Sequence, residues 1–218
     1  MTPKLYKTDL SPPVRAVLLC AKHIGLDLEL IDIDLVAKAE QYQPHFLKIN
    51  PQHTVPVLDD DGFILVDSHA IMVYLVQKYA KNSAILPQNI QKAAIVNHRL
   101  HFDTGTLFAR GLNISKLIIR EGVKDVPQKY IDGLEEAFGI VEKFLEQNSW
   151  IAGDEMTIAD FSIATSLTTW SYFLPITEEK YPRISKWLKK LEALPYFQEI
   201  NPKGINDYIN LIKSVLNK

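Results

Sequence analysis

Cysteine is nearly missing from this chain: one residue, Cys20, in 218. A single thiol excludes a disulfide framework within the chain and Cys-x-x-Cys dithiol chemistry, and it fits a reducing compartment. An excess of either charge is missing too. The 24 Lys and Arg nearly balance the 26 Asp and Glu, for a net charge of -2. Bulk charge therefore gives no reason for nucleic acid or anionic membranes as partners. No apolar run approaches the roughly 18 residues of a membrane span. The opening "MTPKLYKTDLSPPVR" has no apolar core and does not read as a signal peptide. Repeats and low-complexity tracts are also lacking. What is present is a 47% apolar composition, enough for one large core or two smaller ones. The expectation is a soluble, cytoplasmic, globular protein.

The first eighty residues alternate between elements. "KLYK" reads as a strand, and "SPPVRAVLLCAKHIG" as a helix with Ser11 at the N-cap, proline in the first turn and Gly25 at the end. "LELIDI" is a second strand and "EQYQPHFLKIN" a short helical stretch broken by proline. Val55–Leu58 and Phe63–Val66 flank the turn "DDDG" as a hairpin, and a helix opens at "SHAI". This order predicts an α/β domain with a mixed sheet over residues 1–81. Residues 82–89 break the pattern as a linker. From residue 90 to 218 only helical periodicity remains, beginning with one long or kinked helix that contains Gly105 and Gly111. "TIADFSIATSLTTW" is the most apolar of these segments, so a central helix is expected there, started by a capping-box variant with Asp160 in place of Glu.

Several residues admit both a bland and a chemical reading. Ser11 is either a helix cap or a hydroxyl donor to an anion, at the strand-to-helix loop where α/β sheets bind ligands. No Gly-x-Ser-x-Gly elbow surrounds it, so it is not read as a hydrolase nucleophile. Cys20 lies among Val17, Leu18, Ala21 and Ile24 and reads as a small buried hydrophobe. His98 and His101, with Asp103 nearby, have metal-like spacing but no second cluster, so no metal is expected.

The stretch "NPQHTVPVLDDDGFILVDSHAI" carries more. Pro56 falls inside the first hairpin strand, where it removes a ladder donor. A cis bond there would turn Val55 toward a ligand, its N–H and C=O free to pair with an extended peptide. The helix starting near Ser68 aims unpaired N–H groups at the same place, a carboxylate site. Asp67 could take an amine, and His53 a second carboxylate. The pattern asks for an extended molecule with an amine, two carboxylates and a peptide backbone.

"SPPVRAVLL", "NPQHTVPVL", "DSHAI" and "TIADFS", in this order and spacing, resemble the insect delta and epsilon classes of cytosolic glutathione transferases, and "LHFDTGTLFARG" is closer to epsilon. The resemblance implies a thioredoxin-like N-terminal domain, an all-helical C-terminal domain, a homodimer, and glutathione as co-substrate with no metal. It makes Ser11 the residue that stabilises the glutathione thiolate. It places His53 at the glycine end, Val55 before cis-Pro56 on the cysteinyl backbone, and Asp67 with Ser68 on the γ-glutamyl head. Gln41, Thr54 and His69 complete the implied glutathione set, His69 at a dimer-facing position. Three positions depart from the family pattern: Asp67 replaces the usual Glu, Gln41 a frequent His, and Leu112 an Arg found in some relatives. The electrophile is expected against Val36, Val55, Phe108, Leu112, Ile119 and Leu211. The implied activity is conjugation of glutathione to xenobiotic or lipid-derived electrophiles, with peroxidase or dehydrochlorinase side activity. A ligand-carrying protein and a dimeric scaffold are the alternatives.

Overall fold

The computed structural model describes residues 2–217. Its first part is β1 (Lys4–Lys7), α1 (Pro12–His23), β2 (Glu29–Asp32), a 3₁₀ turn at Glu40–Tyr42, α2 (Pro44–Ile49), β3 (Val57–Asp60), β4 (Phe63–Val66) and α3 (Ser68–Tyr79). The strands form one sheet in the order β2-β1-β3-β4. β1 runs parallel to β2 and antiparallel to β3, and β3 antiparallel to β4. This is the thioredoxin-like arrangement.

Strand alternation decides which helix covers which face. Leu5 and Leu58, paired across β1 and β3, are fully buried with Val17 and Cys20 of α1 and Ile71, Met72 and Leu75 of α3. The opposite face buries Val57 with Ile33 and with Phe46 of α2. At the hairpin turn Asp61 and Gly62 both have positive φ, 57° and 87°, the backbone a tight two-residue hairpin prefers. Asp59 Oδ1 accepts from the Gly62 N–H at 2.9 Å.

One expectation about this hairpin needs correcting. β3 begins at Val57, so Pro56 precedes the ladder and does not interrupt it. No strand bond is lost at Pro56, and the cis peptide Val55–Pro56 shapes the loop leading into the strand.

The second part is helical: α4 (Ile90–Phe102), α5 (Phe108–Glu121), α6 (Gln128–Phe144), α7 (Ile158–Trp170), α8 (Pro182–Glu192) and α9 (Pro195–Leu216). α4 runs into α5 through one wide π turn, Asp103–Leu107, so the long helix is continuous with an irregular middle. α7 is buried along its length except at Thr168. Its start is fixed by fully buried Asp160, which accepts from the Thr157 N–H at 2.7 Å, the Ile151 N–H at 2.9 Å and the Trp187 indole N–H at 2.9 Å. Gly111 lets α5 lie against Trp170, since a Cβ there would fall within 3.0 Å of the indole.

The two parts meet through α1, which packs on α7 and α9. Arg15, fully buried in α1, donates to Asn201 Oδ1 at 2.5 Å, to the Asn201 carbonyl at 3.1 Å and to the Thr169 hydroxyl. Burial pulls its guanidinium down to about 9, against the attraction of Asp9 and Asp207, and it stays charged at neutral pH. Gly204 of α9 lies directly on the Asp9 carbonyl and on Arg15. The loop ahead of α1 is thereby held from the helical side.

Candidate active site

A cleft of about 530 Å³ opens where the C-terminal end of β1, the loop before β3 and the start of α3 face the π turn, α5 and α9. Ser11 lies on its floor at the N-cap of α1. Its N–H donates to the Thr8 carbonyl at 3.1 Å, which closes the loop. The hydroxyl makes no cap bond, so the bland reading of Ser11 as a side-chain cap does not hold. It stands beside the positive end of a helix dipole with its donor unspent.

The cis-proline loop forms one wall. The Asn50 side-chain amide donates to the Thr54 carbonyl at 2.8 Å and to its hydroxyl at 3.1 Å, fixing the approach to Val55. Thr54 thus reaches the cleft as part of the loop's own bracing. Val55 lines the cleft just outside the ladder, which begins at Val57. His53 takes a left-handed φ of 49° and stacks on Tyr42 with ring centroids 4.8 Å apart. Gln41 spends its amide N–H on the Leu35 carbonyl at 3.2 Å, while its buried oxygen has no partner.

The start of α3 forms the next wall and corrects a second expectation. The N–H groups of His69 and Ala70 are already taken by Asp67 Oδ1, at 2.9 and 3.0 Å. Asp67 therefore caps the helix, and the open donors at this end reduce to those of Ser68, a largely buried residue that lines the cleft. Asp67 does this from φ 74° and ψ 118°, a backbone state disfavoured outside glycine and typical of functional positions.

His69 follows Ser68 at the second position of α3. Its ring, in a side chain only 14% exposed, turns into the helical part of the same chain. Nε2 is 2.6 Å from the Ser162 hydroxyl and Nδ1 is 3.1 Å from the Thr104 hydroxyl. Ser162 also donates to Asp103, whose other carboxylate oxygen is buried without a partner. Asp103 and Thr104 line the cleft and escaped the sequence reading. In the sequence Asp103 shows only as an acid in a helical stretch near His98 and His101. The structure sends it away from His98, which faces Arg99 Nη1 at 2.6 Å. Among the described residues no group of three His, Cys, Asp or Glu is placed to hold a metal ion.

The apolar residues picked from the sequence meet at the other end. Phe108, Leu112 and Ile119 come from α5, Leu211 from α9, and Val36 from the long loop after β2. Phe108 leans on Trp170 at 5.9 Å between ring centroids. Ser115, Lys116 and Arg120 also reach the cleft from α5 and were not foreseen. Helical periodicity marks them as polar, and cannot tell solvent from a groove.

A thioredoxin-like half offering hydrogen bonds and a helical half offering apolar walls define a two-domain transferase that brings a peptide thiol to an apolar acceptor. The chain belongs to the glutathione S-transferase family. Residues 5–83 match the glutathione S-transferase N-terminal domain and residues 92–195 the C-terminal domain. An epsilon-class glutathione S-transferase from the housefly, Musca domestica, superposes with a TM-score of 0.94 at 44% identity, covering 98% of each chain. A glutathione transferase homologue from Drosophila mojavensis, solved with bound glutathione, superposes with a TM-score of 0.94 at 42% identity, over 98% of this chain and 97% of its own. Glutathione S-transferase 1 of Manduca sexta is 37% identical over 218 residues, 99% of this chain and all of the relative. The protein is accordingly a glutathione transferase, resembling the insect epsilon class, with glutathione as co-substrate.

Proposed function

We propose that this enzyme activates glutathione at Ser11 and adds its sulfur to hydrophobic electrophiles, in the detoxification of xenobiotics, insecticides among them, or of lipid-oxidation products. Ser11 carries the reading: a hydroxyl at a helix start, on the cleft floor, with no cap bond of its own. A free thiol with a pKa near 8.5 is mostly protonated at pH 7. An O–H bond to the sulfur and the positive end of α1 both favour the thiolate. The sulfur then forms a bond to the electrophilic carbon as the leaving group departs with its electron pair, and the thiol proton goes to solvent. Cys20 takes no part: burial pushes its thiol up to about 12.

The tripeptide lies extended along residues 1–81. Its glycine carboxylate meets His53, its cysteinyl backbone pairs with Val55, and its γ-glutamyl head meets the Ser68 hydroxyl and N–H with the free Asp67 oxygen beside them. Gln41 belongs to the same set; its buried amide oxygen has no partner, and as an acceptor it suits an N–H of the tripeptide and not a carboxylate. Residues 82–89 link this unit to the helical domain of residues 90–218, which supplies the acceptor walls. Peroxidase and dehydrochlorinase reactions would use the same thiolate. A ligand carrier or scaffold would need the apolar wall or the outer surface, but not an unspent serine donor opposite a cis-proline loop.

Assembly as a homodimer belongs to the same proposal. It is supported by apolar side chains left outside the core, Phe63, Ile90 and Ile95, at 49, 83 and 43% exposure. A cytoplasmic setting accords with a lone cysteine kept as a buried free thiol.

The deciding experiment titrates the thiolate absorbance of bound glutathione in wild type and Ser11→Ala. The variant is expected to raise the thiol pKa toward that of free glutathione. It should also slow conjugation roughly ten- to a hundred-fold, the worth of a hydrogen bond to a charged group. Equal pKa values in the two proteins would refute the assignment.

A further inference from the structure

We infer that the electrophile preferred by this cleft carries an anionic group at the far end of an apolar body, received by Lys116 and Arg120. The inference rests on the conjugation reading and adds the class of substrate. Leu112, Lys116, Ile119 and Arg120 lie at helical spacing on one face of α5, and all four line the cleft. The two apolar side chains are half-buried and the two cations exposed, so the wall passes from apolar to positive toward the mouth. Lys116 and Arg120 are one turn apart, a like-charge spacing that disfavours the helix unless an anion sits between them. Arg110, on the same helix, is paired with Glu136 at 2.9 Å. Among the described residues neither Lys116 nor Arg120 has such an ion pair.

The acids of the cleft lie at the opposite end. Asp67 caps α3, and Asp103 is bound to Ser162 near His69. The groove is therefore acidic where an amine is to be held and basic where the acceptor enters. Arg120 alone, in the last turn of α5, would be explained by the helix dipole. Lys116, a turn earlier and facing the same groove, is not. The chain as a whole is slightly negative, so its net charge does not attract an anion. A local preference for one would have to come from this pair.

The test compares two aryl vinyl ketones that differ only in a distal group, a free carboxylate or its methyl ester. In each, the glutathione sulfur bonds to the β-carbon, the C=C π pair forms a double bond between the α-carbon and the carbonyl carbon, and the C=O π pair moves onto oxygen. The enolate then takes a proton from water, replacing the one the thiol released, and no group leaves. The readout is the acid-to-ester ratio of kcat/KM, in which effects on folding and thiol activation cancel. Wild type is expected to favour the acid over the Lys116→Gln/Arg120→Gln double variant by roughly three- to ten-fold, the scale of two exposed charge contacts. Lys116→Arg should keep the preference. The preference should fade toward 1 M salt, where the screening length shrinks to about 3 Å. An acid-to-ester ratio unchanged by the double substitution overturns the inference. So does a rise in the glutathione KM that is equal for both ketones, which would assign the pair to the tripeptide. Absence of conjugation with either ketone sinks the underlying reading instead, and the inference with it.

Discussion

Gly204→Ala adds one methyl group at the place where α9 touches the catalytic loop. A Cβ at Gly204 would fall within 3.0 Å of the Asp9 carbonyl and of the Arg15 side chain, whereas ordinary contact begins near 3.4 Å. The main obstacle is backbone, so α9 and the loop must part by about 1 Å. Overpacking of this kind costs about 1–3 kcal/mol. For a chain of this size that lowers Tm by roughly 2–4 °C per kcal/mol. Asp9 is two residues before Ser11, so the displacement reaches the hydroxyl proposed to hold the sulfur. If that bond is lost, kcat should fall roughly ten- to a hundred-fold. The glutathione KM should change less, because both ends of the tripeptide are held on other elements. Calorimetry, steady-state kinetics and thiolate titration on the same sample measure all three quantities. A variant with wild-type Tm and wild-type thiol pKa would show that α9 does not set the position of Ser11.

Three further outcomes are expected. Ser68→Ala should raise the glutathione KM several-fold with the fold intact, since Asp67 already occupies the next two N–H groups; an unchanged KM removes Ser68 from the binding set. Asp60→Asn should cost about 2 kcal/mol at neutral pH, because buried Asp60 accepts from Lys78 at 2.6 Å and from the Tyr74 and Tyr79 hydroxyls at 2.8 Å. Burial pushes the Asp60 pKa up, but these bonds outweigh it and hold it below 3.8, so its stabilisation is complete above 3.8 and drains away as pH falls through the lowered value. A Tm-versus-pH curve for Asp60→Asn that keeps the wild-type acid limb would refute this. Finally, a maleimide should label Cys20 only on unfolding, and Cys20→Ala should retain conjugation; labelling of the native enzyme would contradict the burial of that thiol.

Local chemistry made much of this site readable in the sequence. Pro-Pro after Ser11, the "TVP" before a strand and the "DSH" after one each prescribe a backbone geometry within a few residues. The order of strands and helices then brings these loops to one end of the sheet, where β1 and β4 finish and β3 begins. The reading failed where a residue's role depends on what packs opposite. Pro56 reads as part of the strand because Val55 and Val57 are both apolar, and only the ladder shows where pairing begins. Asp67 reads as a partner for an amine, and only the structure shows that one of its oxygens also caps α3. Nothing in the sequence around Arg15 shows that two distant helices close over it. Asp103 and Lys116 follow the same logic, since helical spacing shows which residues share a face but not what that face meets.

The π turn at Asp103–Leu107 sets a phase for everything downstream. Successive residues of an α-helix are offset by about 100°, and a π turn carries one residue more than its α counterpart. Removing one residue from this turn would rotate α5 by about that angle and carry Leu112 and Ile119 off the acceptor wall, with no apolar residue lost. Side chains now directed elsewhere, such as Asn113, would turn toward the groove in their place. The selectivity of the acceptor site is thus stored in the angular register of one helix as well as in its residues. A single deletion could redraw that site at one stroke while the glutathione half, built on the other domain, keeps its own alignment.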